Sequence, residues 1–307
     1  ADLVARLAAG RADDLQTTVA LVTNAPKLLY HHKNQKKLKD PATEQNMATL
    51  HASGVNAIGP AAGVQACGDV GPGRMEEPEA IARFASDMFD TGILDGKRVV
   101  ITAGPTREAL DPVRYISNHS SGKMGYALAE AAALAGARTT IISGPVSLMA
   151  PEHVKVEPVN SALEMLAASE RLLPQSDIYI ACAAVADYRP ADVQPQKIKK
   201  GPEEVSLLLV KNPDIVASVA ASEPPPFTVG FAAETRDVLN YARGKLERKG
   251  LDMIVANDVS DSSIGFNSDQ NEVTVLWPHG EMQLARADKG ALARQLMALI
   301  AAKLDKK

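Results

Sequence analysis

The chain is poor in sulfur and in rings. Its 307 residues hold two cysteines, one tryptophan and 4% aromatic residues. Cys67 and Cys182 are far apart and form no CxxC pattern, which excludes a disulfide scaffold and a cysteine-built zinc site. Free thiols in a reducing, cytoplasmic setting are the simplest reading. No apolar run approaches a membrane span, no signal peptide is visible, and no repeat or low-complexity tract occurs. Net charge is only −4, so no strong field argues for nucleic acid or membrane. There is no Walker motif and no G-x-G-x-x-G fingerprint. The chain starts on Ala1 rather than Met and runs straight into a helical pattern, which suggests a trimmed or N-terminally incomplete chain.

What is abundant is small and aliphatic. Hydrophobic residues make up 46% of the chain, a profile that suits buried parallel strands in an α/β protein. Periodicity predicts helices over residues 1–16, 40–53 and 77–89 and strands over 17–23 and 55–59, with a glycine-rich loop at 66–75. This first part, residues 1–92, is short of strands for an independent α/β domain. Residues 93–307 are better stocked. Strands are predicted at 97–103, 138–143, 177–183, 205–210, 227–232 and 252–256. Helices are predicted at 124–135, 162–173, 214–221, 237–249 and 291–304. A hairpin is predicted from 272–277 and 282–287. The expected fold is a doubly wound, mostly parallel Rossmann-like sheet with a C-terminal antiparallel hairpin.

The stretch at 104–125 is the outlier. It is a long polar loop between a strand and a helix, with two arginines, Asn118, His119 and a Ser-Ser-Gly-Lys helix start. Ligands bind beyond the carboxyl ends of parallel strands, so this loop is a candidate for anion binding. Asp187 follows another strand end and can hold a divalent cation or a ribose hydroxyl, or cap its own loop. Tyr241, Lys245 and Lys249 repeat at i, i+4, i+8 and share one helix face, an arrangement that a polyphosphate would suit. Three classes compete on residues alone: a nucleotide-dependent enzyme, a Rossmann-type dehydrogenase and a non-catalytic nucleotide-binding module. The missing glycine fingerprint counts against the dehydrogenase.

Several motifs narrow this choice: Ala103-Gly104-Pro105-Thr106, the run from Asp111 to Gly125, Ala183-Ala184-Val185-Ala186-Asp187-Tyr188, Lys197-Ile198-Lys199-Lys200, Lys211-Asn212-Pro213-Asp214-Ile215-Val216, Gly230-Phe231-Ala232-Ala233-Glu234-Thr235, Ala256-Asn257-Asp258-Val259 and Gly265-Phe266-Asn267-Ser268-Asp269. In this order they closely resemble phosphopantothenate–cysteine ligase, the second half of a bacterial bifunctional family of coenzyme A biosynthesis. The resemblance implies CTP-dependent ligation with Mg²⁺ through an acyl-cytidylate. It implies CTP contacts at Ala181, Cys182, Ala183, Asp187, Lys197, Pro213, Asp214, Ile215, Val216, Phe231, Lys245 and Lys249, with Asp187 beside the metal. Lys197 and Asn118 match the family's catalytic lysine and asparagine. A homodimer through the ligase domain, and a larger homo-oligomer with an intact flavin part, are implied as well.

Residues 1–90 resemble the C-terminal half of the fused partner, an FMN-dependent decarboxylase of flavodoxin-like fold. The signals are Gly10-Arg11-Ala12-Asp13-Asp14-Leu15, Asn34, Asp40-Pro41-Ala42-Thr43 and the run from Ala66 to Met75. Cys67 matches that family's proton-donating thiol, and on bare sequence it is equally a structural one. Asn34 matches a substrate contact, but the chain reads His31-His32-Lys33-Asn34 where the family has Pro-Ala-Met-Asn. The family's flavin loop and catalytic histidine are expected upstream of Ala1. The decarboxylase is therefore expected only in part and inactive alone.

Overall fold

The computed structural model describes residues 2–23, 26–30, 40–64, 70–88, 91–199, 206–234, 237–258 and 268–304. The chain divides into two compact units, residues 1–90 and 91–307.

The first unit holds α1 (Asp2–Ala8), α2 (Leu15–Val22), β1 (Lys27–Tyr30), α3 (Pro41–Ala52), β2 (Val55–Ile58), β3 (Ala61–Val64), β4 (Val70–Arg74) and α4 (Pro78–Asp87). β1 and β2 pair in parallel across α3, and β3 pairs antiparallel with β4. Val4, Leu50 and Val55 form its small core, joined by Leu7, Leu29 and Met47. Two expectations fail here. Residues 17–23 are helical, not extended. Asp14 accepts from the Thr17 amide at 2.8 Å while Thr17 Oγ1 accepts from the Asp14 amide, a capping box that outweighs the strand preference of Thr and Val. Residues 70–74 are a strand rather than loop, because β3 supplies a pairing partner.

The second unit is built on β5 (Arg98–Ala103), β8 (Arg138–Ser143), β9 (Val154–Pro158), β10 (Ile178–Ala181), β13 (Phe227–Glu234), β14 (Met253–Asp258), β15 (Gln270–Trp277) and β16 (Gly280–Asp288). Two small pairs lie outside that sheet: β6 (Glu108–Ala109) with β7 (Tyr115–Ile116), and β11 (Tyr188–Pro190) with β12 (Leu209–Lys211). The helices are α5 (Lys123–Leu134), α6 (Ala162–Leu172), α7 (Ile215–Ala220), α8 (Val238–Lys249) and α9 (Lys289–Leu304).

The eight sheet strands lie in the order β16-β15-β14-β13-β10-β5-β8-β9. β9, β8, β5, β10, β13 and β14 run parallel to one another, β15 is antiparallel to β14, and β16 is antiparallel to β15. The chain lays down β5, β8 and β9 outward, then returns to place β10 on the other side of β5. The order therefore reverses between β5 and β10, where a crevice opens at the strands' carboxyl ends. Alternation along each strand divides the core. Val99, Ile101, Ile180, Val229 and Val255 face α5 and α9. Val100, Ile142 and Tyr179 face α6 and α7, while Ile254, Ala256 and Leu276 face α8. Burying each such aliphatic side chain is worth about 1.5–3 kcal/mol, so register is held from both faces.

Among the described residues no helix is long and apolar enough to cross a membrane.

Candidate functional site

The loop after β5 is folded, not slack. Gly104 takes φ +75°, and a Cβ there would lie 2.8 Å from Val146 Cγ1. Pro105 bridges Ala184 beyond β10. Thr106 is fully buried, and its Oγ1 accepts from the Ala186 amide at 3.0 Å. Further on, the Asp111 carboxylate accepts from the amides of Val113 and Arg114 and from the Arg114 guanidinium, at 2.6 to 2.9 Å. It also accepts from the Ile198 amide at 3.1 Å, while Arg114 donates to the Ile198 carbonyl at 2.7 Å. Burial alone would raise this carboxyl; the Arg114, Val113 and Ile198 hydrogen bonds outweigh it and hold the group well below the usual range. One carboxylate thus ties the β5 loop to the segment carrying Lys197.

A cavity of about 360 Å³ lies at the carboxyl ends of β5, β10 and β13, astride the point where strand order reverses. Ala181, Cys182, Ala183, Asp187, Pro213, Asp214, Ile215, Val216, Phe231, Lys245 and Lys249 all line it. The asparagine Asn212 frames this wall: its amide donates to the Asp187 carbonyl and its Nδ2 to the Ala186 carbonyl, both at 2.8 Å. Asp214 caps α7 by accepting from the Ala217 amide at 3.2 Å, and its other oxygen meets Lys249 Nζ at 2.9 Å. The lysine pair of α8 therefore faces the cavity with Lys249 already matched by one carboxylate.

Two expected residues, Lys197 and Asn118, stand outside the cavity lining, and Asp187 lines it. Lys197 is exposed and does not line the cavity, because its segment is drawn toward Asp111 through Ile198. Asn118 sits at the rim: its Nδ2 donates to the Ala184 carbonyl, and its Oδ1 accepts from the Ser120 amide at 3.1 Å. Asp187 is a single exposed carboxylate, and among the described residues no cluster of three metal-ligating side chains exists. Cys67 and Asn34 lie outside the described residues.

The opposite wall was anticipated only at Lys123, in the loop singled out for anion binding; Lys289, Asn257 and Asn271 were not expected there. Lys289 opens α9, is 7% exposed, and lines the cavity with Lys123, Asn257 and Asn271. Lys123 Nζ meets Asp269 Oδ1 at 2.7 Å, and that hydrogen bond and charge lower the Asp269 carboxyl. Burial, then the neighbouring Lys123 charge, lower the Lys289 ammonium; Asp269 works against them. Cys182 retains only a partial opening to the cavity, and burial pushes its thiol up to about 12, with Lys289 pulling the other way. Lys289 falls between the strand expected at 282–287 and the helix expected at 291–304, so nothing there announced a buried cation.

Fold and cavity together define a Rossmann-like α/β domain with a lysine-rich binding cavity at its switch point. Comparison with known proteins is specific. Residues 94–304 match the family model of the DNA/pantothenate metabolism flavoprotein C-terminal domain, and residues 1–89 match the flavoprotein model. The coenzyme A biosynthesis bifunctional protein CoaBC of Vibrio cholerae is 56% identical over 303 residues, covering 98% of this chain and 76% of that protein. The Escherichia coli K12 protein of the same name is 50% identical over 312 residues, covering the whole chain and 77% of the relative. A crystal structure of the C-terminal domain of such a CoaBC protein superposes with a TM-score of 0.61 at 39% identity, covering 71% of this chain and all of that one. The chain belongs to the family of coenzyme A biosynthesis bifunctional proteins. The flavoprotein match runs through the first unit, so the expectation of a decarboxylase present only in part finds no support.

Proposed function

We propose that the second unit joins 4′-phosphopantothenate to cysteine at the expense of CTP, and that the first unit is the FMN-dependent decarboxylase acting on the product. The carboxylate oxygen of the acid attacks the α-phosphorus of CTP. The bond to pyrophosphate breaks and an acyl-cytidylate forms. The cysteine amine then attacks the acyl carbon, CMP leaves with the bonding pair, and the amine loses a proton.

The observation that carries this reading is the cavity wall. Eleven residues matched to CTP contacts, scattered between positions 181 and 249, converge on one lysine-bearing surface. Lys245 and Lys249 offset triphosphate charge, and the Phe231 ring offers an apolar face. Asp187 is the carboxylate that would hold Mg²⁺, and the ion would neutralise phosphate charge. Asn118, poised beside Ala184, can turn its carboxamide toward an acyl oxygen as negative charge builds there. Lys197 reaches the reacting centre by movement of its segment or from a second copy. A homodimer agrees with the exposed Val113, Tyr115, Tyr188 and Leu208 on the β6–β7 and β11–β12 arms; a monomer by sedimentation would refute that part. In the first unit, FMN would supply the oxidation that precedes loss of CO₂, with Cys67 donating a proton afterwards.

The test is pyrophosphate release from phosphopantothenate with each nucleotide in turn, with and without cysteine. Release with CTP, and amide formation only when cysteine is added, is expected. Release with ATP but not with CTP would overturn the nucleotide assignment, and absence of release with every nucleotide tested would overturn the ligase reading.

A further inference from the structure

The turn that ends in Asp187 and the run from Pro213 to Val216 both carry residues matched to CTP contacts, and both line the cavity. They come from different parts of the second unit, so their spacing must be held by contacts between them. The β11–β12 pair brings them together and ends with Tyr188 opposite Lys211. Asn212 carries the pairing one residue further: its amide donates to the Asp187 carbonyl at 2.8 Å. Pro213 comes next and has no N–H to donate. The Asn212 side chain supplies the next donor instead, with Nδ2 on the Ala186 carbonyl at 2.8 Å. On its other side the same turn is fixed to the β5 loop, since the Ala186 amide donates to the hydroxyl of the buried Thr106 at 3.0 Å.

Asn212 is 6% exposed, and its carboxamide is committed at both ends. Its Oδ1 accepts from Arg189 Nη1 at 3.0 Å, and the same nitrogen donates to the Lys211 carbonyl at 2.9 Å. The two ends of the carboxamide are not interchangeable. Turning it over would set an oxygen against the Ala186 carbonyl and an NH₂ group against a guanidinium. Arg189 therefore holds Asn212 in the one orientation that latches the turn. Arg189 itself does not line the cavity, whereas Asp187, Asn212 and Pro213 do. A guanidinium outside the cavity thus sets the spacing of two segments that face into it.

Resting on the ligase reading, we propose that Arg189 and Asn212 are positioning residues for the nucleotide. Arg189 orients Asn212, and Asn212 holds the Asp187 turn at the distance from Pro213 that the bound nucleotide needs. The latch joins segments matched to the nucleotide, so binding of the acid and of cysteine is spared.

The test is a double-mutant cycle on Arg189→Met and Asn212→Ala, read as the KM for CTP and as calorimetric CTP affinity without the acid. Loss of a hydrogen bond to a charged group is expected to raise the KM for CTP about 10-fold in each single variant. The KM values for the acid and for cysteine are expected to stay within about twofold of native, inside the scatter of such measurements. The double variant is expected to match Asn212→Ala within about twofold, because Arg189 acts through Asn212. Effects that multiply to about 100-fold would mean that Arg189 acts by its charge alone, and would overturn the proposal. Equal rises in KM for CTP and the acid, or a fall in kcat with every KM unchanged, would mean a general loosening and overturn it equally. Val275→Ala, a fully buried change in β15 outside the cavity lining, is the stability control: a lower Tm with the native KM for CTP is expected. Should Asn212→Ala not fold, Arg189→Met and Arg189→Lys decide: the lysine keeps a cationic donor and is expected to recover most of the loss, and an unaltered KM for CTP in Arg189→Met overturns the proposal. Calorimetry needs no turnover. A native chain that binds CTP but releases no pyrophosphate therefore fails the ligase reading, while the affinity cycle still decides this one.

Discussion

Gly125 sets the distance between α5 and β5, and its replacement by alanine tests whether that distance matters. A Cβ at this position would stand 2.5 Å from Ala103 Cβ, 3.2 Å from Ala103 Cα and 3.4 Å from the Thr102 carbonyl oxygen. Ordinary carbon contacts lie at about 3.5–4.0 Å, so a gap of about 1–1.5 Å must open. The strand cannot give way, because Ala103 is fully buried. Nor can the helix slide freely, because α9 packs on it through Leu292 and Leu296. Overpacking of this kind costs about 1–3 kcal/mol. For a unit of this size that lowers the melting temperature by about 2–4 °C per kcal/mol. The same shift carries Gly122, Lys123 and Met124 away from the cavity they line. Displacement near 1 Å at a reacting geometry costs up to about 100-fold in rate, so kcat/KM for pyrophosphate release is expected to fall about 10- to 100-fold. Gly244→Ala is the control. Gly244 is exposed in the middle of α8 with nothing within 4 Å of an added Cβ, and the change gains about 0.5–1 kcal/mol from helix propensity. Differential scanning calorimetry and steady-state kinetics read both variants. If Gly125→Ala melts and turns over like the native chain, α5 is not held against β5 as described.

Asp111→Asn removes the acceptor that joins the β5 loop to Ile198, so amide formation is expected to slow while the KM for CTP holds; a change confined to CTP binding would refute the role. Because the folded carboxyl is held below its ordinary 3.8, its stabilisation is complete above that value and is lost as pH falls toward the folded value. The native chain's thermal advantage over Asp111→Asn is therefore flat at neutral pH and shrinks only below about pH 4; an advantage that shrinks near neutrality contradicts the assignment. The Cys182 thiol, pushed up to about 12, leaves about one molecule in ten thousand as thiolate at pH 8. Peptide mapping after iodoacetamide treatment is expected to show Cys182 unmodified in the folded chain and modified after unfolding, and prompt labelling of the native protein would contradict its burial.

The sheet was legible because its strands are short apolar runs closed by polar residues. Arg98–Ala103 and Arg138–Ser143 announce themselves, and so does the α5 run between them. β9 was not, because Val-Lys-Val-Glu-Pro is an edge strand with polar residues on its open side. β6, β7 and β11 span two or three residues each and exist only where the fold brings partners together. The α8 lysine face could be read from spacing alone, since i, i+4 neighbours share a face in any helix. Lys289 could not. Its burial depends on α9 packing against α5, more than 150 residues earlier in the chain. The link from Asp111 to Ile198 is equally invisible, because a loop carboxylate carries no mark of the distant amide it will accept from.

The proposed chemistry explains why cations on two walls serve better than one large patch. The reaction must bring a carboxylate against the α-phosphate of a triphosphate while a second phosphate rides on the acid. Two unit charges of like sign 4 Å apart repel by about 4 kcal/mol near a protein surface. A single lysine cluster would draw both phosphorylated ends to one place and leave the reacting carboxylate outside it. The cavity instead carries its lysines on two walls, Lys245 and Lys249 on α8 and Lys123 and Lys289 at the starts of α5 and α9. The middle of the cavity, lined by Ala181, Cys182 and Ala183 at the end of β10, carries no charged side chain. There the two reacting groups can meet with their distal charges already offset, which is the geometry that an open sheet with a reversed strand order supplies between β5 and β10.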